Sequence, residues 1–300
     1  MQESMIAPIL QKISRSEIGD HKFTILIPTW NNLPYLKLCL ESIRENSHFK
    51  HQIIIVVNEG IDGTLAWIKS NPDLDYVYAE KNIGICYGLN SCRSLIKTDY
   101  LIYVNDDMYL LPDWDLYLWN DIKNIGHHYF VLSATMIEPF FSRNPCVIVA
   151  DYGNTIETFR KEELLKNFRQ VEHFDWQGST WPPILLHLDI WDLVGGLSAE
   201  FSPGMGSDPD LTKKLWDLGV RYYKGISASR VYHFGSKSTD KVKKNDGRKM
   251  FLFKWGVSSN TFMTKYIKTG KIFTGQIELP SISKKDRNMA KLKMFRFLFK

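Results

Sequence analysis

Two adjacent carboxylates, Asp106 and Asp107, follow a run of apolar and aromatic residues in the first half of the chain. The run at residues 100–104 predicts a buried strand, so the carboxylates are expected where the strand leaves the sheet, in the crevice where open α/β sheets bind ligands. Because neighbouring carboxylates repel each other, the pair is costly unless a cation or a hydrogen-bond network offsets the charge. Two interpretations stay open: a hard divalent ion that holds a phosphate, and a strand that ends in a solvated turn.

The elements around this pair alternate between strand and helix. Apolar runs predict four buried strands, at residues 23–28, 52–57, 76–78 and 100–104. Helical spacing predicts helices between them, including those at about 34–46 and 85–96. The run at 52–57 is almost uniformly apolar, which is typical of a strand buried on both faces of a parallel sheet. We therefore expect an α/β fold with a doubly wound, mostly parallel sheet flanked by helices.

Length and composition indicate a globular protein. The chain has 300 residues, 44% of them hydrophobic, which is enough for one large core or two modest ones. Residues 1–20 predict a helical extension rather than a signal peptide, and no run reaches the ~20 apolar residues of a membrane span, so a cytoplasmic location is the expectation. The four cysteines have no CxxC or CxxH spacing, which predicts reduced thiols without zinc or disulfides.

The net charge of +5 is concentrated at the end of the chain. Residues 281–300 contain seven Lys or Arg and one Asp, so they carry +6, and the other 280 residues carry about −1. A surface for nucleic acid is therefore not expected. Leu292, Phe295 and Phe299 recur at helical spacing in this tail. Two alternatives follow: an amphipathic helix in peripheral contact with the inner face of an anionic membrane, and a solvated helix that packs one face on its own protein.

Four motifs in one order carry a resemblance to a known family. They are Ile27-Pro28-Thr29-Trp30-Asn31-Asn32, Asn58-Glu59-Gly60 with Asp62-Gly63-Thr64, Asn82-Ile83-Gly84 with Asn90, and Asn105-Asp106-Asp107. Together they resemble the nucleotide-sugar half of the family 2 glycosyltransferases, the inverting enzymes of the GT-A fold. The resemblance implies a GT-A catalytic domain at residues 21–240, with a nucleotide-sugar-binding half at 21–110 and an acceptor half at 111–240. An N-terminal extension (1–20) precedes this domain, and a basic loop with a C-terminal helical tail (241–300) follows it.

The donor site that this resemblance implies is formed at the strand ends. The residues expected to bind the nucleotide sugar are Pro28, Thr29, Asn58, Glu59, Asn82, Gly84, Asn105 and Asp106. Pro28 and Thr29 would border the base and ribose, and Glu59, or Asn58 beside it, would accept a hydrogen bond from the base. Asp107 is the expected ligand of Mn²⁺ or Mg²⁺.

The chain departs from the family pattern at three of these motifs. Asn105 stands at the first position of the family's DxD motif, which removes one negative charge and lowers the expected metal affinity. Asn58-Glu59 replaces the usual Asp, so the base stays open, although a UDP-sugar is the expected donor. Leu89 precedes Asn90 where many relatives have Arg, so one cationic contact to the diphosphate is absent or is supplied elsewhere.

A second block of motifs resembles the acceptor side of the same family. Val194-Gly195-Gly196-Leu197 is followed by Gly206-Ser207-Asp208, where the family usually has Gly-Glu-Asp. Asp208 therefore holds the position of the general base, while Ser replaces the Glu. The residues alone also allow Asp208 to be the N-cap of the following helix, with Pro209 in its first turn. The two roles are compatible.

His233 and Trp181 complete the expected site. The segment 229–236 resembles the strand and turn from which some relatives supply a histidine ligand, so His233 is the expected second metal ligand, with a purely structural histidine as the alternative. Trp181 is a candidate for stacking on the acceptor sugar, with a place in the core as the alternative. Residues 237–249 are polar and basic and predict a loop that closes over the donor.

The implied reaction is transfer of a sugar from a nucleotide-diphosphate sugar to a hydroxyl of a glycan or lipid-linked acceptor, as in polysaccharide biosynthesis. The metal would stabilise the departing diphosphate and Asp208 would take the acceptor's proton, so that one displacement inverts the anomeric centre. A sugar-1-phosphate nucleotidyltransferase is disfavoured because no Gly-rich phosphate loop follows the first strand. A catalytically silent GT-A domain that binds glycan or nucleotide stays open because of the substituted Asn105 and Ser207.

Overall fold

The computed structural model describes residues 10–17, 19–178, 181–235, 244–281 and 284–298. The strands of this part of the chain are β1 (Leu10–Ile13), β2 (Thr24–Trp30), β3 (Gln52–Asn58), β4 (Asp75–Ala79), β5 (Tyr100–Tyr103), β6 (Met108–Leu110), β7 (Phe130–Glu138), β8 (Val147–Val149), β9 (Trp176–Gln177), β10 (Ile184–His187) and β11 (Tyr222–His233). The helices are α1 (Leu33–Asn46), α2 (Thr64–Lys69), α3 (Gly84–Ser91), α4 (Trp114–Ile125), α5 (Lys161–Asn167), α6 (Leu188–Leu193), α7 (Ser207–Asp217), α8 (Gly247–Trp255), α9 (Ser259–Thr261) and α10 (Lys284–Leu298).

Four strands near the start of the chain form the parallel part of a single sheet. β2 lies between β3 and β5, β4 pairs with the outer side of β3, and all three pairings are parallel. Ile53 and Ile55 of β3 pack in the hydrophobic cluster that contains α1, whereas Ile54 and Val56 pack in the cluster that contains α3. The strand is therefore buried on both faces, as its apolar run predicted.

The remaining strands extend this sheet with mixed directions. β10 lies antiparallel between β5 and β7, β11 runs parallel to β7, and β6 is antiparallel to β11. The order along the main path is β1-β4-β3-β2-β5-β10-β7-β11-β6, with β8 beside β7 and β9 beside β11. The α/β fold with a central parallel sheet flanked by helices is thus confirmed.

The N-terminal extension differs from the sequence prediction. Residues 10–13 form β1, which pairs antiparallel with β4, and no helix is present between residues 10 and 20 outside the undescribed residue 18. The helical prediction is wrong here because the free edge of β4 offers backbone partners, and Asp75 holds the chain beyond β1 by accepting a hydrogen bond from the Ser16 backbone N–H at 2.8 Å. Residues 1–9 lie outside the described part.

The predicted C-terminal helical extension is confirmed as α10, which packs against α8. One face is held by buried Ala290 and by an ion pair of Asp286 with Lys265 at 2.6 Å. Exposed apolar side chains remain on the helix, at Met289, Leu292 and Phe295. Phe299 lies outside the described residues. Among the helices described, none has the length and apolar character needed to cross a bilayer.

The loop predicted at residues 237–249 falls only partly within the described chain. Residues 236–243 lie outside it. The loop prediction is wrong for residues 247–249, which form the first turn of α8. Asp246 caps this helix by accepting a hydrogen bond from the Lys249 backbone N–H at 3.1 Å, and this cap satisfies a donor that a polar loop would have left to water.

Candidate active site

A cavity of about 400 Å³ opens where the parallel strands end. Eleven of the twelve site residues predicted from the sequence line it: Pro28, Thr29, Asn58, Asn82, Gly84, Asn105, Asp106, Asp107, Trp181, Asp208 and His233. The twelfth, Glu59, lies outside this lining, and its Oε2 accepts a hydrogen bond from the Asn31 side chain at 3.0 Å. Of the two alternatives for the contact to the base, Asn58 is the one that faces the cavity.

The two adjacent carboxylates are buried rather than solvated. Asp106 is 2% exposed and Asp107 is 3% exposed, because the chain returns as β6 directly after them. Asp106 Oδ2 accepts a hydrogen bond from Thr29 Oγ1 at 2.7 Å. Burial and the neighbouring Asp107 carboxylate raise the pKa of Asp106. A strand that ends in a solvated turn is therefore the wrong interpretation of this pair.

Strand register brings His233 to Asp107. β11 pairs with β6 so that His233 lies opposite Met108, and it pairs with β7 so that Tyr232 lies opposite Ile137. His233 consequently sits between two carboxylates: its Nε2 is 3.4 Å from Asp107 Oδ1, and its Nδ1 is 2.7 Å from Glu138 Oε1. Burial alone would lower the pKa of His233, but the Asp107 and Glu138 carboxylates outweigh it and raise this pKa to about 9.

The Asp107–His233 pair fits a divalent cation. Glu138 engages Nδ1, which turns Nε2 towards Asp107, and Nε2 is buried without a hydrogen bond to any described residue. A carboxylate that orients a histidine through its other ring nitrogen is the usual support of a metal-ligating imidazole. The described residues contain no group of three or more His, Cys, Asp or Glu that could hold a metal. The other ligands would therefore be oxygens of the substrate or water.

Asp208 reaches the same cavity from the first turn of α7. Gly206 is the N-cap of this helix, at φ 89°, so the interpretation of Asp208 as the N-cap is wrong. Burial raises the pKa of the Asp208 carboxyl to about 7. Asp210, two residues further along α7, has a different environment. Its Oδ1 accepts a hydrogen bond from Trp255 Nε1 at 2.8 Å and lies 2.9 Å from Lys254 Nζ.

A close contact at Gly84 joins the donor half to the loop before Asp208. The Ile85 backbone N–H donates to the Pro203 carbonyl at 2.9 Å, and Ser202 Oγ donates to the Ile83 carbonyl at 3.2 Å. Gly84 has φ +74°, and a Cβ there would lie 2.4 Å from Ser202 Oγ and 2.8 Å from Pro203 Cα. Only glycine satisfies both the backbone conformation and this approach.

Gly84→Ala is expected to lower the free energy of unfolding by about 2–4 kcal/mol, because it adds a steric clash to an unfavourable φ. Gly126→Ala is the matched control: Gly126 has φ +72° with nothing within 4 Å of an added Cβ, so only the conformational cost of about 1 kcal/mol applies. Urea unfolding of both variants measures the difference. An equal loss of unfolding free energy in the two variants would show that a Cβ at Gly84 adds no steric clash with Pro203.

Sequence reasoning missed the residue that supports His233 and several residues that line the cavity. Glu138 was not identified, although its position at the end of the apolar strand β7 is a weak signal. Met136, Asn144, Met205 and Lys244 also line the cavity, and they come from segments without a readable motif. Trp181 lines the cavity and is also partly buried against the core, so both interpretations of this residue describe part of its environment.

Comparisons with a family model and with curated proteins both find similarity to glycosyltransferases. The family model of glycosyl transferase family 2 matches residues 24–179, slightly more than half of the chain. The curated protein "Glycosyltransferase GlyA" of Streptococcus pneumoniae serotype 4 is 28% identical over 120 residues, which cover 37% of this chain and 17% of that protein. The chain thus matches only about a sixth of the length of this relative.

Solved structures share the fold at low sequence identity. S. aureus TarS 1-349 in complex with UDP-GlcNAc has a TM-score of 0.55 at 13% identity, covering 91% of this chain and 71% of that one. The mannosyltransferase PcManGT from Pyrobaculum calidifontis, in complex with GDP-Man and Mn²⁺, has a TM-score of 0.51 at 13% identity, covering 95% and 72%. The predicted GT-A fold is confirmed by these likenesses. With the family match over residues 24–179, the chain belongs to glycosyl transferase family 2.

Proposed function

We propose that the protein transfers a sugar from a nucleotide-diphosphate sugar to an acceptor hydroxyl, with inversion at the anomeric centre. One observation carries the proposal: Asp107 and His233, which fit a metal, and Asp208, which fits a base, line one cavity. A donor sugar in this cavity can therefore be contacted by the metal on its leaving-group side and by the base on its opposite face. The complex of TarS with UDP-GlcNAc supports a UDP-sugar as the donor, and the complex of PcManGT with GDP-Man and Mn²⁺ supports a divalent metal.

Seven residues of the cavity have a part in this mechanism. Pro28 and Thr29 border the base and ribose, and Asn58 and Asn105 offer amide groups to them. Asp107 and His233 would hold Mn²⁺ or Mg²⁺, which would supply Lewis-acid stabilisation of the diphosphate. Asp208 accepts the proton of the acceptor hydroxyl as this hydroxyl attacks the sugar. One displacement from the opposite face inverts the centre, so no covalent nucleophile is required.

The rate of transfer is expected to rise about tenfold per pH unit below pH 7 and to level off above it. Only the ionised carboxylate of Asp208 accepts a proton, and burial raises its pKa to about 7. The measurement is kcat at saturating donor and Mn²⁺ from pH 5.5 to 9. Saturating metal is needed because protons compete for His233, whose pKa is about 9. A rate that does not change over this range would exclude Asp208 as the base.

The experiment that tests the function is a thermal-shift screen of UDP-GlcNAc, UDP-glucose and GDP-mannose, each with and without Mn²⁺. A donor at about 100 times its Kd stabilises the protein by about 2.7 kcal/mol, which raises the Tm by several degrees. Release of the nucleoside diphosphate is then measured with the stabilising donor. A silent domain, which the Asn105 and Ser207 substitutions keep as the second candidate, would bind the donor without releasing the diphosphate. No stabilisation by any donor with Mn²⁺ would overturn the proposal.

We also propose a cytoplasmic protein in peripheral contact with the inner face of the membrane, where it acts in polysaccharide assembly. The support is the exposed apolar stripe of Met289, Leu292 and Phe295 on α10, together with the basic residues Lys285 and Lys291 on this helix. Such a helix suits an anionic lipid surface. Co-sedimentation with phosphatidylglycerol vesicles but not with phosphatidylcholine vesicles is the expected result, and binding to neither would contradict this location.

A further inference from the structure

A second cavity, of about 730 Å³, adjoins the first one at Asp208 and Trp181. These two residues line both cavities. Most of the other walls of the second cavity come from α8, α9 and α10, which follow the strands that build the donor site, and Pro209 of α7 and Met263 complete the lining. The second cavity therefore approaches the base from the side of the C-terminal segment.

Three cations line this second cavity: Arg248 of α8, and Lys293 and Arg296 of α10. All three are exposed, and the structure gives none of them an ion pair or a hydrogen bond with the described residues. Among the residues that the structure describes, Asp208 is the only acid in the same lining. Three unpaired like charges around one cavity repel one another, and this arrangement costs free energy unless an anion binds there.

Three described cations outside this lining form ion pairs. Lys213 forms an ion pair with Asp217, Lys254 lies 2.9 Å from Asp210 Oδ1, and Lys265 lies 2.6 Å from Asp286 Oδ2. Acids of α7 and α10 therefore neutralise these three cations. The three lining cations, by contrast, form no ion pair with the described residues.

The side chains of the lining indicate which chemical groups a ligand would carry. Leu252, Met263 and Phe297 contribute apolar surface, and residues 258–260 contribute two hydroxyl groups and an amide. Two guanidinium groups and an ammonium group match the oxygens of a phosphate, which accepts several charge-assisted hydrogen bonds at once. A phosphate held by α8 and α10 would leave the remainder of its molecule room to extend towards Asp208.

We propose that the second cavity is the acceptor site and that it takes an acceptor bearing a phosphate group, which Arg248, Lys293 and Arg296 contact. The inference rests on the proposed function, since it takes Asp208 as the base that receives the acceptor hydroxyl. It also gives α10 a role in the reaction, because this helix closes the cavity and supplies two of the three cations. The phosphate belongs either to a lipid-linked acceptor or to a soluble glycan phosphate, and these two sources share the chemistry of recognition.

The test is calorimetric titration of the full chain after its donor site has been saturated with UDP and Mn²⁺. The probes are glucose 1-phosphate and farnesyl phosphate, below the concentration at which the latter forms micelles. The variant Arg248→Gln/Lys293→Gln/Arg296→Gln is expected to bind the probes at least tenfold more weakly than the original chain. The matched control, Lys284→Gln/Lys285→Gln/Lys291→Gln, removes the same charge from exposed lysines of α10 outside the cavity lining and is expected to stay within twofold.

The outcomes separate this inference from the proposed function. Tighter binding of farnesyl phosphate supports a lipid-linked acceptor, and equal or tighter binding of glucose 1-phosphate supports a soluble glycan phosphate. If neither probe binds, or if both triple variants lose affinity equally, the inference is overturned while UDP and Mn²⁺ binding still supports the donor site. Failure of UDP and Mn²⁺ to bind in the first titration would instead contradict the proposed function. Removal of three unpaired charges is expected to leave the Tm equal or higher, which shows that the variant is folded.

Discussion

Asp208→Asn is expected to lower the rate of sugar transfer by about 10²–10⁴-fold at saturating donor and metal. The amide has the size and shape of the carboxylate but does not accept the proton of the acceptor hydroxyl. The donor KM is expected to change little, because the groups assigned to the base, ribose and diphosphate lie on β2, β3 and β11 and in the loop after β5, rather than on α7. The measurement is release of UDP in the presence of acceptor, with kcat and KM determined separately.

Asp210→Asn is the matched control for this substitution, since it removes a second carboxylate of the same helix. Asp210 is buried and lies 2.9 Å from Lys254 Nζ, so its loss leaves a partly buried cation without this partner and lowers stability. The folded fraction of the Asp210→Asn variant is expected to retain far more transfer activity than the Asp208→Asn variant. A turnover of Asp208→Asn within tenfold of the original chain would refute the catalytic role.

Stability gives Asp208→Asn a second, independent signature. The folded pKa of Asp208 is about 7, above the unfolded value of about 3.9, so the ionised carboxylate destabilises the fold. This cost is absent below pH 4, grows between pH 4 and 7, and is constant above pH 7. Asp208→Asn is therefore expected to melt at a higher temperature than the original chain at pH 8, with no gain at pH 4. Its loss of activity and its gain in stability would thus have one cause.

Local patterns were sufficient to predict the donor half of the fold. The uniform apolar run of β3 requires burial on both faces, and the polar residues after β2, β3 and β5 then meet at one edge of a parallel sheet. Thr29 and Asp106 are 77 positions apart, yet the parallel pairing of β2 with β5 brings them to a 2.7 Å hydrogen bond. In such a sheet, the order of strands and helices along the chain determines which side chains converge.

Other features depend on tertiary contacts that no local pattern records. The helical prediction failed at residues 10–13 because β1 forms only against the edge of β4. The support of His233 by Glu138 requires the parallel pairing of β11 with β7, two strands that are separated by more than 80 residues. Similarly, Lys293 and Lys254 are the same residue type in the same basic segment, and only the fold places Asp210 beside one and a cavity beside the other.

Asp107→Ala is expected to weaken Mn²⁺ binding in the presence of UDP by at least a hundredfold and to lower kcat/KM for the donor by about 10³-fold. Asp107 Oδ1 lies 3.4 Å from His233 Nε2, and Asn105 rather than an acid stands at the first position of the motif. In the proposed mechanism, the metal and the stabilisation of the developing diphosphate charge would therefore depend on this side chain. Calorimetry of Mn²⁺ with UDP measures the first effect, and steady-state kinetics measures the second.

Glu138→Gln is the graded control. In the structure, His233 Nδ1 lies 2.7 Å from Glu138 Oε1. The amide oxygen of the variant still accepts a hydrogen bond from Nδ1, while the negative charge is lost. A residue that only orients a ligand typically changes metal affinity by 10–100-fold, so this variant is expected to fall between the original chain and Asp107→Ala. If Asp107→Ala kept Mn²⁺-dependent binding of UDP, the metal would have to lie elsewhere in the cavity. If Glu138→Gln lost as much affinity as Asp107→Ala, Glu138 would itself be a ligand, and the metal site would consist of three protein side chains rather than two.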